Sequence, residues 1–171
     1  AIARREAVIA FEVATALEAL AHAELPPGIV ARSAAQLDED ELRLLDDELR
    51  QDVPGASGWR STPEEFREQT FADPAFDPRT YLVAVHQGSG SLLGLVRVWM
   101  NLRGPRLGLV AVRRAHRRRG IASALLADVL RAVAGTGAEF VSAEYDLANP
   151  ASQALALRVG AGGYVLKRAA D

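Results

Sequence analysis

LGLVAVRRAHRRRGIAS occupies residues 107–123, and its reading decides what kind of fold surrounds it. An apolar strand-like run ends at Val112. Five arginines and a histidine follow, and then, abruptly, Gly120, Ile121, Ala122 and Ser123. Beyond them Ile121, Leu125, Leu126, Val129, Leu130 and Val133 recur at helical spacing until GTG at 135–137. A cluster this basic has three readings: a handle for nucleic acid, a solvated surface, or one wall of a pocket for a phosphorylated ligand. Its register with a helix start chooses among them. First-turn amides of a helix have no internal partners, and the helix dipole places about half a positive charge there. Small residues let another molecule approach the backbone closely. Strand, glycine-bearing loop and helix start together make a seat for a compact pyrophosphate rather than a track for a long polyanion.

Composition agrees. The chain has 171 residues, a net charge of -2, 49% apolar and 25% charged residues, which suits one well-cored domain and no general affinity for nucleic acid. Seven arginines fall between Arg103 and Arg119 while acids crowd residues 38–52, so the basic charge is local. Without cysteine there are no disulfides, thiolate metal sites or Cys nucleophiles. His22, His86 and His116 lack ligand spacing, and no metal is expected. No apolar run approaches 18 residues, so no membrane partner is expected. Glu6, Glu12 and Glu18 interrupt any signal-like start, which makes the cytoplasm the default location.

Along the chain, Ile2, Ile9, Val13, Leu17 and Leu20 predict an amphipathic helix over residues 2–22, stopped by LPPG. GIVARS (28–33) reads as a strand, and residues 38–51 as a helix opened by Asp38 and Glu41. Thr62, Pro63 and Glu65 open another helix. YLVAVH, LLGLVRVWM and RLGLVAV are three successive strands. After the arginine loop and its helix come the strand EFVSAEY (139–145), a helix over 151–159 and the strand YVLKR. This order gives an N-terminal helical extension, residues 1–24, and one α/β (α+β) domain, residues 25–171. The extension has three open roles: packing on the domain, joining a preceding one, or forming a homodimer. The strand count falls one short of seven.

Arg117-Arg118-Arg119-Gly120-Ile121-Ala122 resembles the Q/R-x-x-G-x-G/A signature of the GNAT superfamily of acyl-CoA-dependent N-acyltransferases. Asn149-Pro150-Ala151-Ser152, directly after a strand, is similar to a later motif of that family. The likeness covers about residues 28–168. It implies a GNAT fold: a mixed sheet of about six to seven strands, splayed in the middle and flanked by helices, here with an extra N-terminal helix. It implies that acetyl-CoA is the acyl donor. The amides of residues 118–123, with Arg117, Arg118 and Arg119 beside them, would hold the pyrophosphate. Backbone at Val110, Ala111 and Val112 would pair with the pantetheine arm, and Asn149 would line its other side. An Asn-Pro turn with a plain helix cap gives the same second string.

Acyl transfer from a thioester to an amine needs a base for the amine, donors for the developing oxyanion and a proton for the thiolate. Many relatives carry a Glu on the strand before the arginine loop; RLGLVAV has none. Glu144 and Asp146 are the next candidates, sharing one side of a regular strand. The family's acid, a Tyr in the later helix, falls on Ala156 if Gly160-Ala161 is the glycine–aromatic pair, or on Val159 if Gly163-Tyr164 is. Tyr145 and Tyr164 are the substitutes. Asp46, Asp47, Asp52, Asp73 and Asp77 would give the acceptor region a negative field, with Trp59 as a cation–π wall, unless they are simply solvated. Trp99 reads as core. The expected function is transfer of an acetyl group to a primary amine of a small molecule or peptide by direct attack in a ternary complex. A catalytically silent acyl-CoA-binding module is the second reading, and a nucleic-acid binder the third.

Overall fold

A computed structural model of the chain describes residues 5–160 and 164–168, the outermost of these (5, 6 and 164–168) by backbone alone. Its centre is β4, Leu92–Asn101, whose residues 92–98 are all buried. A strand apolar on both sides needs cover on both faces, and helices supply it. It is flanked by antiparallel neighbours β3 (Tyr81–His86) and β5 (Gly104–Val112), and β2 (Ile29–Ser33) closes that edge.

On one face lie α2 (Glu39–Arg50) and α3 (Pro63–Gln69). Asp38 caps α2 by accepting from the Glu41 amide, and Thr62 and Glu65 form a reciprocal capping box on α3. Leu42, Leu45, Leu49 and Phe66 then pack on Tyr81, Val83 and Leu95. The other face is covered by α4 (Ile121–Gly135), whose Leu125, Leu126, Val129 and Leu130 are fully buried. Each such side chain contributes about 1.5–3 kcal/mol of burial. With α4 lie α1 (Val13–Ala19) and α5 (Pro150–Arg158). The remaining strands are β6 (Phe140–Asp146) and β7 (Tyr164–Arg168).

The N-terminal segment departs from the single helix expected over residues 2–22. Arg5–Glu12 is a strand, β1, and only Val13–Ala19 is helical. Ile9 and Phe11 are 5% and 2% exposed while Ala10 and Glu12 face solvent, an alternation of period two. β1 runs antiparallel to both β6 and β7, so the sheet has seven strands in the order β2-β3-β4-β5-β6-β1-β7. The chain's first strand thus supplies the one that the count lacked. The β5–β6 pair is the parallel one, which makes the sheet mixed.

Truncating Phe11 to alanine is expected to cost about 3–5 kcal/mol in urea unfolding, whereas Ala10→Ser stays within about 0.5 kcal/mol. Equal effects would contradict the alternation of β1.

Candidate functional site

The site begins with one extra residue. Along β4 and β5, Val98 faces Leu107 and Val96 faces Val110, so Gly108 and Leu109 together oppose Arg97. Such a bulge bends its strand and sharpens the twist. β5 accordingly pairs with β6 only at Arg106↔Ser142 and Leu107↔Ala143 and then departs from it. Residues 108–112 keep β4 on one side and open their other edge to a cavity of about 1050 Å³.

At the far end of that edge stands the arginine loop. Gly120 caps α4 with φ +77°, a left-handed conformation glycine adopts without strain, and offers no side chain to the first-turn amides. Arg118 is also left-handed, at φ +61°, unusual for a residue with a side chain. Arg117 donates from Nε to the Val112 carbonyl at 2.8 Å and from Nη2 to Asp52 at 2.6 Å. Arg114 also binds Asp52, at 2.5 Å, and Arg113 binds Glu48 at 2.9 Å. These three guanidiniums thus tie the loop to the acids at the end of α2 and just beyond it. Arg118 lines the cavity; Arg119 lies outside its wall, 3.3 Å from His116.

The other expected residues converge on the same cavity. Val110, Ala111 and Val112 line it, as do Gly120, Ile121, Ala122 and Ser123. So do Glu144, Tyr145, Asp146 and Asn149. The unbroken β1–β6 register puts Glu144 and Asp146 on one face of β6 and Tyr145 on the other. Asp146 accepts from the Ala148 amide at 2.8 Å. Asn149 caps α5, accepting from the Ser152 amide at 3.2 Å, so the helix-cap reading of that motif is satisfied while the residue also borders the cavity. Ala156 and Val159 are 6% and 2% exposed and supply no acid. The pairs Gly160-Ala161 and Gly163-Tyr164 reach outside the described residues, as does the Tyr164 side chain.

The expected acidic residues are held by partners within the fold. Asp46 binds Arg50 at 2.5 Å and Arg97 at 2.6 Å. Asp47 accepts from the Ser61 amide and hydroxyl at 3.2 and 3.1 Å. Asp77 pairs with Arg79 at 2.7 Å, and Asp73 accepts from the Ala75 amide at 2.8 Å. Trp59 carries Arg50 over its ring at 5.2 Å, so its cation–π face is already taken. Trp99 is half-buried and borders the cavity rather than sitting wholly in the core. Among the cavity residues that the sequence reading did not single out are Arg97, from the middle of β4, and Arg158 of α5, which donates to Ser123 Oγ at 2.8 Å. Long-range packing brings both to the cavity.

The sequence profile of the Acetyltransferase (GNAT) family matches residues 42–161. Among solved structures, the chain is similar to a GCN5-related N-acetyltransferase from Sphaerobacter thermophilus, with 27% identity, 97% of this chain and 49% of that one covered, and a TM-score of 0.72. It also resembles a tandem GNAT protein from the clavulanic acid biosynthesis pathway (18% identity, coverage 100% and 55%, TM-score 0.68), a likeness of fold. A third is the diaminobutyrate acetyltransferase of Paenibacillus lautus in complex with L-2,4-diaminobutyric acid and coenzyme A (25% identity, coverage 75% and 72%, TM-score 0.55). The chain spans about half the length of the first two. No curated protein matches it by sequence.

Hydrogen bonds from Arg114 and then Arg117 pull the Asp52 carboxyl down to about 2. The folded value lies below the unfolded one, so the stabilisation is complete above the ordinary carboxylate range and is lost as pH falls through about 2. Asp52→Asn is therefore expected to lower the urea midpoint modestly at pH 7 and to speed amide exchange over residues 113–120. The midpoint difference should narrow as pH drops from about 4 toward 2. A constant difference across that window would contradict the tether.

Proposed function

The chain belongs to the acetyltransferase (GNAT) family, and on that premise we propose that it transfers an acetyl group from acetyl-CoA to a primary amine of a small molecule or peptide. One observation carries this reading: the splay of β5 from β6 opens a strand edge that leads to the start of α4, where the Gly120 cap offers no side chain to the first-turn amides. The edge of 108–112 that faces away from β4, apart from the Val112 carbonyl held by Arg117, suits an extended amide-bearing arm, and first-turn amides at a helix N-terminus suit a diphosphate. Amides of residues 118–123 hold the pyrophosphate in this reading, with Arg118 and Arg158 adding charge-assisted hydrogen bonds. Arg117 mainly braces the loop, since its donors go to Val112 and Asp52.

The donor contributes a thioester carbonyl; the protein orients it and moves protons. Backbone amides of β5 near Val112 stabilise the charge that develops on the carbonyl oxygen. Glu144 takes the proton of the attacking amine, directly or through water, and Asp146 holds a neighbouring position on the same face. Tyr145, on the opposite face of β6, protonates the departing thiolate. Direct attack in a ternary complex fits a chain without cysteine.

At Gly120 a Cβ would meet only the Glu24 carbonyl oxygen, at 3.9 Å, so a side chain fits there apart from the left-handed backbone. Gly120→Glu is expected to keep the fold and abolish CoA binding, read by calorimetry and by loss of the thermal shift that ligand gives the native chain. Gly120→Asn, which tolerates a positive φ, serves as control. Unchanged CoA affinity in the folded Glu variant would refute the loop assignment.

Glu144→Gln is expected to lower kcat by roughly 10²–10⁴, with CoA affinity within about twofold of the native value. Full activity in thiol-release assays would move the base elsewhere. CoA binding without thiol release on any amine would favour the silent binding module.

A further inference from the structure

Arg97 is a charged side chain in the middle of the most buried strand, and nothing in the reaction described above uses it. It is 5% exposed. Its Nη1 donates to Asp46 at 2.6 Å and to the Tyr81 hydroxyl at 3.2 Å, while its Nε has no hydrogen-bond partner among the described residues. The guanidinium lies 5.4 Å from the ring centres of both Tyr81 and Trp99, a slot that fixes its plane. It borders the same cavity as the opened edge of β5. A Cβ on Gly108, the first residue beyond the β5–β6 pairing, would stand 3.2 Å from Arg97 Cγ and 2.9 Å from Trp99 Nε1. Both side chains therefore press onto the backbone where the splay begins.

Arg97 does not have a counter-ion to itself. Asp46 is shared between Arg97 and Arg50, so these three groups carry one surplus positive charge. Asp52 is committed to the two arginines of the loop. On the same face of the sheet, Arg106 stands opposite Trp99 and adds a second positive charge. A buried guanidinium with a half-share of a counter-ion is costly unless an anion completes it. Nε is enclosed and Nη1 is committed to Asp46 and Tyr81, so an anion entering from the cavity meets Nη2, which offers a carboxylate a charge-assisted hydrogen bond.

Resting on the acetyl-transfer reading, we propose that the acceptor carries a carboxylate that docks on Arg97, so the substrate is a small amino acid whose amine reaches the splay near Glu144. The opening of β5 from β6 lies beside Arg97, so few bonds separate the two ends of the acceptor. Trp99 and Trp59 bound the space around its carbon chain.

The test uses the native protein with acetyl-CoA and three matched acceptor series of two to six carbons: amino acids, their primary amides, and alkylamines lacking the carboxyl. The expected result is a kcat/KM at least about tenfold higher for the best amino acid than for its amide and its alkylamine, carried mainly by KM. In Arg97→Gln the preference, read as the ratio of the two kcat/KM values within the same variant, falls to about one; Arg97→Lys restores it only in part. Equal use of amides or alkylamines by the native protein overturns the proposal, even if the variants fail to fold. Should no amine turn over, calorimetry on the CoA-bound protein still decides. Binding of amino acids but not of amides upholds the carboxylate site and removes only the transfer reaction. Equal binding, or none, removes the site.

Discussion

The extra residue in β5 is the constraint on which the rest depends. With Gly108 and Leu109 set against the single Arg97, β5 bends away from β6 after two pairs, in a sheet of seven strands each bonded to its neighbours. Backbone groups left without partners in a protein interior are expensive, so a fold keeps such a gap only where something else fills it. The gap here is a cavity walled by β5, β6, the start of α4 and α5. Arg97 and Trp99 lie over the glycine backbone at the bulge, which places a cation on the cavity wall there.

Charge organises the outer end. The acids of residues 38–52 and the arginines of 113–119 form separate clusters in sequence and meet in space, Glu48 with Arg113 and Asp52 with Arg114 and Arg117. Exposed pairs like these add little stability each. Their geometric effect is larger, because two guanidiniums on one carboxylate hold a loop that contains a strained Arg118. The cluster divides its labour: Arg113, Arg114 and Arg117 fix the loop, and Arg118 faces the cavity.

Local chemistry was legible in the chain. The arginine loop, the helix that follows it, the capping residues Asp38, Thr62 and Asn149, and the strands from 81 to 112 all carry short-range signals, and each appears where its signal points. The N-terminal strand was not legible, because Ile9 and Val13 fit a helical stripe as well as an alternating one. Phe11, buried between them, breaks the tie, but only pairing with β6 and β7 makes that burial necessary. Arg97 was hidden for a related reason. In LVRVWM it reads as an interruption of a core strand, and its meaning comes from Asp46, Tyr81 and Trp99, which the fold brings to it.

The placement of β1 has a consequence for how the molecule assembles. β3, β4 and β5 follow one another and pair as neighbours, so that half of the sheet forms from short loop closures. β6 touches β5 at two residue pairs and otherwise leans on β1, whose Glu12 meets Phe140 more than a hundred residues later in the chain. One wall of the cleft is therefore set by a contact of very high contact order, entropically late and kinetically slow. Until that contact closes, β6 exposes bare strand edges, and a folding chain in this state is open to edge-to-edge aggregation.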